Sequence, residues 1–160
     1  MSGGGGIQAV TFGLGDEVFA IPVTLVREIL DWREPFRVPN GPAWLLGLTD
    51  VRGEGVPTVD LRRRLGLAAA AVTPTTRALV VEVAIGERRI TLALVVDRVL
   101  DVVEFDLGEI EPAPDIGVRW GSEYIRGVVR RPAGFVLLVD LASIVSRQDA
   151  ALLDDSRQAA

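Results

Sequence analysis

Residues 44–65 read WLLGLTDVRGEGVPTVDLRRRL, and residues 124–145 read YIRGVVRRPAGFVLLVDLASIV. Both segments begin with an aromatic residue, carry a glycine three positions later, and reach Asp-Leu thirteen positions after that glycine. A predicted hairpin and a short amphipathic segment precede each one. The sequence is therefore predicted to be a degenerate tandem repeat, in which each half consists of hairpin, short helix, hairpin and short helix.

Hairpin turns are predicted wherever alternating apolar and polar residues flank turn residues. In chain order the predicted turns are Gly15-Asp16, residues 53–55 and Gly86. Many short strands joined by Gly and Pro turns favour two small β-barrels that share a core. The two pseudo-symmetric halves would then meet across a cleft.

Two segments have apolar residues at helical spacing. They are VTLVREIL at 23–30 and DRVLDVV at 97–103, and each is predicted to be a short amphipathic helix. Asp97 and Asp101 are interpreted as an acidic pair on the surface of the second helix. Further short helices are predicted to begin at the Asp-Leu pairs of the two repeats.

We expect a single domain with two subdomains over residues 7–148. The predicted junction is the linker AAAAVTPTT at 68–76, with possible exchange of strands across it. A Pro-rich loop is predicted at 110–117. Flexible tails are expected at 1–6 and 149–160.

Composition excludes several kinds of chemistry. All 17 basic residues are arginine, and the chain has no His and no Cys. A Walker or Schiff-base lysine, a Ser-His-Asp triad, a thiolate nucleophile and a Cys/His zinc site are therefore impossible, and neither a cofactor nor a metal is predicted.

The charge and the apolar runs also limit the partners. The net charge of −5 argues against nucleic acid, and the arginines at 62–64 and 130–131 are interpreted as solvated surface. The N-terminal MSGGGG lacks the features of a signal peptide, and no apolar run is long enough to span a membrane.

The repeated aspartates Asp60 and Asp140 have two interpretations. Two pseudo-equivalent carboxylates could form a proton-sharing dyad in a hydrolase, although the D-[ST]-G signature of such enzymes is missing. Each aspartate also ends a predicted strand and precedes a predicted helix, where its side chain would cap the first turn. We favour helix capping, and the sequence indicates a binding module more than an enzyme.

Taken in order, these motifs resemble those of the CheW-like chemotaxis coupling proteins. The resemblance covers about residues 7–148 and is strongest in GLTDVRG, VPTVDLR and LGL; Asp50 stands where the family usually has Asn. Supporting motifs occur in family order at compatible spacing: FGLGDEVFAIPVTLVREI, LALVVDRVLDVV, IEPAPDI, EYIRGV and LLVDLASIV.

The resemblance implies a fold of two five-stranded SH3-like β-barrels around a shared apolar core. It also implies a non-catalytic adaptor that couples methyl-accepting chemoreceptors to a CheA-type histidine autokinase. The implied partners are the CheW-like regulatory domain of that kinase and the cytoplasmic hairpin tip of the receptors, with other copies of the coupler as a further option. The implied location is the cytoplasm, at the inner face of the membrane. A coupler of a non-flagellar pathway for surface motility remains an alternative.

Six residues acquire a receptor-binding role from the resemblance, and none is assigned to the kinase. Arg52 occupies the arginine position of the Arg-Gly motif, and Val26 and Glu28 match the short helix that lines the receptor side. Alternatives remain open, because Val26 also suits a core and Glu28 a solvated surface. Gly47 could serve only a close backbone approach. Val99 and Val102 are expected in the groove wall by analogy with the first half.

Overall fold

The computed structural model describes residues 5–112 and 124–145. Strands make up most of these residues: β1 (Gly6–Leu14), β2 (Glu17–Pro22), β3 (Val26–Asp31), β4 (Leu45–Val51), β5 (Glu54–Asp60), β6 (Arg77–Ile85), β7 (Arg88–Val96), β8 (Arg98–Asp106), β9 (Ile110–Glu111), β10 (Ile125–Arg131) and β11 (Gly134–Val139). The described helices are short: α1 (Leu61–Arg64), α2 (Leu141–Ile144), and two 3₁₀ turns at Val23–Leu25 and Leu107–Glu109.

The strands form two barrel-like sheets, and each sheet takes strands from both halves of the repeat. The five-stranded sheet has the order β3-β6-β7-β5-β4, and the six-stranded sheet has the order β8-β1-β2-β11-β10-β9. The hairpins β1–β2 and β6–β7 have therefore changed places. Each joins its host sheet through one parallel pairing, β2 with β11 and β7 with β5. The mostly-β, pseudo-symmetric architecture is the fold class that the sequence predicted.

The exchanged hairpins are buried on both faces, and the size of their side chains differs between the faces. Phe12, Phe19 and Ile21 contribute to a large core that is shared by the two sheets. On the opposite face, Ala9 and Ala20 belong to a smaller cluster of the six-stranded sheet. The pattern repeats in β6 and β7, where alanines occupy the small cluster of the five-stranded sheet. Small residues suit the narrow barrel interior, and large ones fill the wider space between the sheets.

The predicted helices at 23–30 and 97–103 are wrong. Apart from a 3₁₀ turn, both segments are edge strands, β3 and β8. A β-bulge interrupts each one, between Val26 and Glu28 and between Val99 and Asp101. A bulge adds one residue to a strand, so residues three apart come to share a face. That spacing imitates one helical turn, and the sequence pattern could not distinguish the two.

The local turn predictions fare better. The β1–β2 turn lies at Gly15-Asp16, the β6–β7 turn follows Ile85, and a short helix begins at the leucine of each Asp-Leu pair. The turn predicted at 53–55 lies one residue earlier, at Arg52-Gly53, and Gly55 is in β5. Strand β1 already includes Gly6, which was expected in the tail. Most of the predicted Pro-rich loop and the C-terminal tail lie outside the described residues.

Candidate binding surface around Arg52

The turn between β4 and β5 holds Arg52 in an unfavourable backbone conformation. Both central residues have positive φ, 54° at Arg52 and 86° at Gly53, as a type I′ turn requires. Left-handed backbone costs a non-glycine residue roughly 1–2 kcal/mol. The Asp50 carboxylate supports the turn by accepting a 2.9 Å hydrogen bond from the Gly53 amide. An Asn at position 50, the residue that the sequence motif usually has there, could accept the same hydrogen bond through its side-chain oxygen. Strain of this kind tends to persist where the residue has a function.

The Arg52 side chain projects into solvent but is anchored at one atom. Its Nε donates a 3.0 Å hydrogen bond to Oε2 of Glu28, while 80% of the Arg52 side chain and 26% of the Glu28 side chain stay exposed. The terminal guanidinium nitrogens form no hydrogen bond with the described residues. They remain able to donate to a carboxylate or to backbone carbonyls of a partner.

The ion pair joins the two edges of the five-stranded sheet. Glu28 lies on β3 and Arg52 follows β4, and these are the first and last strands of that sheet. In the segment that follows β3, Phe36 forms an isolated bridge with Leu48 of β4 through backbone hydrogen bonds of 2.8 and 2.7 Å. Arg52 therefore lies where the barrel closes. The Arg52–Glu28 ion pair and the Phe36–Leu48 bridge both stabilise this part of the sheet.

The six-stranded sheet is closed in a related way. There β9 pairs with β10, and Arg130 and Arg131 form ion pairs of 2.8 and 2.9 Å with Glu111 and Glu109. The turn that follows contains Pro132, whose ring fixes a negative φ. The left-handed arginine of the first barrel therefore has no counterpart in the second.

Gly47 supports this surface from inside. It is buried, has a φ of 145°, and a Cβ at its position would lie 2.0 Å from the carbonyl oxygen of Phe36. Its repeat equivalent Gly127 has the same constraint, with a Cβ 2.7 Å from the carbonyl oxygen of Glu111. Both repeated glycines permit the close approach that closes a barrel. The structure thus explains Gly47 by packing, and a residue this buried offers little surface to a partner.

The bulge in β3 separates two residues that were expected to act together. Val26 is opposite Val81 and packs against the shared core, whereas Glu28 is opposite Val80, which belongs to the interior cluster. Neighbouring positions on a strand face opposite sides. Val26 and Glu28 therefore face different sides of the sheet, although they are only two positions apart.

The bulge in β8 has the converse effect. Val99 is opposite Phe12 and Val102 is opposite Val10, and both of these β1 residues belong to the shared core. Val99 packs against that core, while Val102 is 55% exposed. Val26, Val99 and Val102 therefore face the shared-core side of their sheets. Of the six expected residues, the structure brings Arg52 and Glu28 into direct contact, and it places the three valines on two different sheets, Val26 on β3 and Val99 and Val102 on β8.

The two repeated aspartates differ in their side-chain contacts. The Asp140 carboxylate accepts hydrogen bonds from the Ala142 amide at 3.2 Å and the Ser143 hydroxyl at 2.9 Å, so it caps α2. Asp60 occupies the same position before α1 but makes no capping bond, and its carboxylate pairs instead with Arg63 at 3.2 Å. No hydrogen bond joins the two carboxylates, so the geometry gives no support to a proton-sharing dyad.

The sequence analysis interpreted Arg62 and Asp97 as separate surface charges. In the structure they form an ion pair with each other. Arg62 donates from Nε and Nη2 to the two carboxylate oxygens of Asp97 at 2.8 and 2.5 Å, and the Gly15 amide donates to the same carboxylate at 2.7 Å. The hydrogen bonds from Arg62 lower the pKa of Asp97, against the opposing effect of burial. The pair ties α1 to the β1–β2 turn. No signal in the sequence connects residues this far apart.

Within residues 5–112 and 124–145 no helix has the length and apolar character needed to cross a bilayer. The same part of the chain contains no group of three or more acidic side chains arranged to hold a metal ion.

Comparisons with known proteins agree with the fold of two mostly-β sheets described above. The family model described as "CheW-like domain" matches residues 8–149. This chain belongs to the CheW-like domain family. The chemotaxis protein CheW of Rhizobium meliloti is 32% identical over 145 residues, which cover 91% of each chain. The protein FrzA of Myxococcus xanthus is 32% identical over 120 residues, covering 74% of this chain and 71% of that protein.

A solved CheW structure supports the fold. The scaffolding protein TtCheW of Thermoanaerobacter tengcongensis superimposes with a TM-score of 0.78 at 22% identity, covering 89% of this chain and 94% of its own. At this identity the similarity shows the fold alone. The CheW-like assignment made from the sequence motifs is confirmed by the family match.

Proposed function

We propose that this protein is a non-catalytic adaptor that couples chemoreceptors to a CheA-type histidine kinase in the cytoplasm, at the inner face of the membrane. The observation that carries the proposal is Arg52. It is exposed, backbone-strained and fixed at one nitrogen, and its terminal guanidinium nitrogens form no hydrogen bond with a described residue. The CheW-like family membership supplies the class of partner for this surface.

The proposed receptor contact combines a polar and an apolar part. Arg52 would donate to carboxylate or carbonyl groups at the receptor tip, with Glu28 holding its guanidinium in place. Val99 and Val102 would contribute the apolar wall. Arginine is enriched in protein interfaces, and Val102, which is 55% exposed, leaves apolar surface open to a partner.

An adaptor of this kind acts by geometry. It places receptor and kinase in one assembly, so that a shift in the receptor biases the kinase between two states. Contacts of micromolar affinity, about −8 kcal/mol each, are sufficient when many are linked. The kinase partner would bind through its CheW-like regulatory domain, and further copies of the coupler could occupy equivalent positions.

The test separates a direct contact of Arg52 from its role in closing the barrel. Arg52→Glu removes both, whereas the exchange Glu28→Arg with Arg52→Glu restores the internal ion pair with the charges reversed. Kinase autophosphorylation is measured in reconstituted receptor membranes, with thermal melting in parallel. We expect loss of receptor-dependent activation in both variants, with little change in melting temperature.

Arg130→Glu is the matched control. Arg130 is also highly exposed and also pairs with a glutamate at a barrel closure, but it lies in the other sheet. We expect this variant to retain activation. Full receptor-dependent activation by Arg52→Glu would refute the receptor contact, and rescue by the charge exchange would show that Arg52 acts through barrel closure.

A second candidate is the same adaptor role in a non-flagellar pathway for surface motility. The similarity to FrzA favours it. The discriminating experiment is deletion of the gene, followed by separate assays of swimming and surface spreading. Loss of spreading with normal swimming would support this candidate.

A further inference from the structure

Arg64 lies between the two halves of the repeat and contacts both. Its guanidinium carbon is 5.0 Å from the ring centroid of Trp44 and 5.3 Å from that of Tyr124. Its Nε donates a 2.6 Å hydrogen bond to the carbonyl oxygen of Ile144 at the end of α2. One side chain of the first half is thus bound to an aromatic ring and a backbone carbonyl of the second half.

The contacts of Arg64 follow the pseudo-symmetry of the chain. Trp44 and Tyr124 open the two repeats, and their carbonyl oxygens accept equivalent hydrogen bonds from the amides of Asp60 and Asp140 at 2.8 and 2.7 Å. Arg64 and Ile144 are separated by the same 80 positions as the two aromatic residues. The guanidinium therefore interacts with two equivalent rings, while its own equivalent is a buried isoleucine.

Arg64 supplies directional contacts between the sheets, in addition to the Arg62–Asp97 pair that ties α1 to the β1–β2 turn. The shared core holds the sheets together, but burial of apolar surface depends little on orientation. A guanidinium stacked on aromatic rings, with a short hydrogen bond to a carbonyl, has a narrow range of favourable geometries.

We propose that Arg64 is a positioning residue that fixes the relative orientation of the two sheets. Val26 lies on the five-stranded sheet, and Val99 and Val102 lie on the six-stranded one. The orientation of the sheets therefore sets the separation of these groove walls. The consequence for the groove walls rests on the proposed receptor-binding function. The role of Arg64 in the orientation of the sheets is independent of that function.

The first measurement is a distance between the sheets. The chain has no cysteine, so Gln8→Cys on β1 and Ala84→Cys on β6 introduce unique attachment sites for spin labels at two exposed positions. Pulsed electron paramagnetic resonance then gives the distribution of distances. We expect Arg64→Met to broaden or shift this distribution, because methionine fills space but donates no hydrogen bond. Arg64→Lys, which keeps the charge and a donor, should recover part of the wild-type distribution.

Arg63→Met is the matched control. Arg63 is adjacent on α1 and carries the same charge, but its ion pair with Asp60 and its hydrogen bond to the Ala43 carbonyl stay within the first half. We expect the wild-type distribution in this variant. If Arg64→Met does not fold, Tyr124→Leu, which removes one of the two rings beside the guanidinium, serves in its place. An unchanged distribution in the folded variant overturns the proposal.

The second measurement is binding to a soluble receptor-tip fragment. If one Arg64→Met molecule in ten retains the wild-type separation, apparent affinity falls about tenfold, and Arg63→Met binds normally. A changed distance with unchanged affinity overturns the link to the groove. If the wild-type protein itself does not bind the fragment, the proposed function fails, whereas the role of Arg64 in orientation is decided by the distances alone.

Discussion

The carbonyl oxygen of Phe36 occupies the space that a side chain at Gly47 would need, 2.0 Å from the position of a Cβ. This approach allows Phe36 and Leu48 to form the bridge that closes the first barrel. The neighbouring turn presents Arg52. A buried glycine therefore controls the backbone beneath the proposed binding surface.

We predict that Gly47→Ala destabilises the protein severely, by about 3 kcal/mol or more, because strain and a backbone clash act together. Gly134→Ala is a matched control, since its φ of 141° is almost the same as the 145° of Gly47 but open space surrounds its Cβ position. Urea unfolding of both variants separates the clash from the conformational strain. Equal losses of stability would show that the approach of Phe36 is unimportant.

The buried hydroxyls of Thr49 and Thr58 lie 2.6 Å apart, and Thr58 Oγ1 also donates to the Val56 carbonyl. Thr49 must then donate to Thr58. Thr58→Val leaves the Thr49 hydroxyl without its acceptor and should cost about 1–3 kcal/mol. Thr49→Val should cost less, and the double variant less than the sum of the single ones. A double-mutant cycle by chemical unfolding measures the coupling, and a larger loss of stability for Thr49→Val than for Thr58→Val would contradict the inferred direction of donation.

The ion pair of Asp97 and Arg62 predicts a dependence of stability on pH. The pKa of Asp97 is lower in the folded protein than its usual value. Its contribution to stability is therefore present above the unfolded pKa and is lost as the pH falls through the folded one. Asp97→Asn should lower stability at neutral pH by about 1–2 kcal/mol, and this difference should shrink in acid.

Unfolding from pH 7 down to pH 3 measures the effect, with Asp31→Asn as the control. Asp31 also pairs with an arginine, but 90% of its side chain is exposed, and such pairs contribute little. A wild-type minus Asp97→Asn difference that stays constant over this range would contradict the assignment.

The unequal contacts of the repeated aspartates predict unequal effects of alanine. Asp140→Ala removes the capping bond to the Ala142 amide and should cost about 0.5–2 kcal/mol. Asp60→Ala removes only a partly exposed ion pair with Arg63 and should cost less than about 1 kcal/mol. Thermal unfolding of the two variants provides the comparison. A larger loss at Asp60 would mean that its carboxylate has a further role.

The helix predictions at β3 and β8 failed because pattern recognition is local. Val26 and Ile29 share a face only because a bulge adds a residue between them. The bulge in turn depends on pairing with β6, about fifty residues away in the chain. A regular alternation would have indicated a strand, and an i to i+3 repeat indicated a helix.

The sequence predicted which residues belong to the candidate site better than it predicted how they contact each other. The motifs identified Arg52 and Glu28 separately, and the structure joins them by a hydrogen bond. The same motifs included Gly47, whose burial assigns it to the closure of the barrel. Arg62 and Asp97 were interpreted as surface charges because their partnership spans two elements that are distant in the chain.

The sequence by itself determined the repeat, the hairpin turns, the helix starts after Asp60 and Asp140, and the family. These features depend on turn chemistry and on motif spacing within a few neighbouring residues. Only the tertiary structure decided that the two hairpins change sheets, that β3 and β8 are bulged edge strands, and that Arg52 is held by Glu28. Such features depend on hydrogen bonds and packing between residues that are distant in the chain, and a local pattern carries no information about which distant partner is chosen.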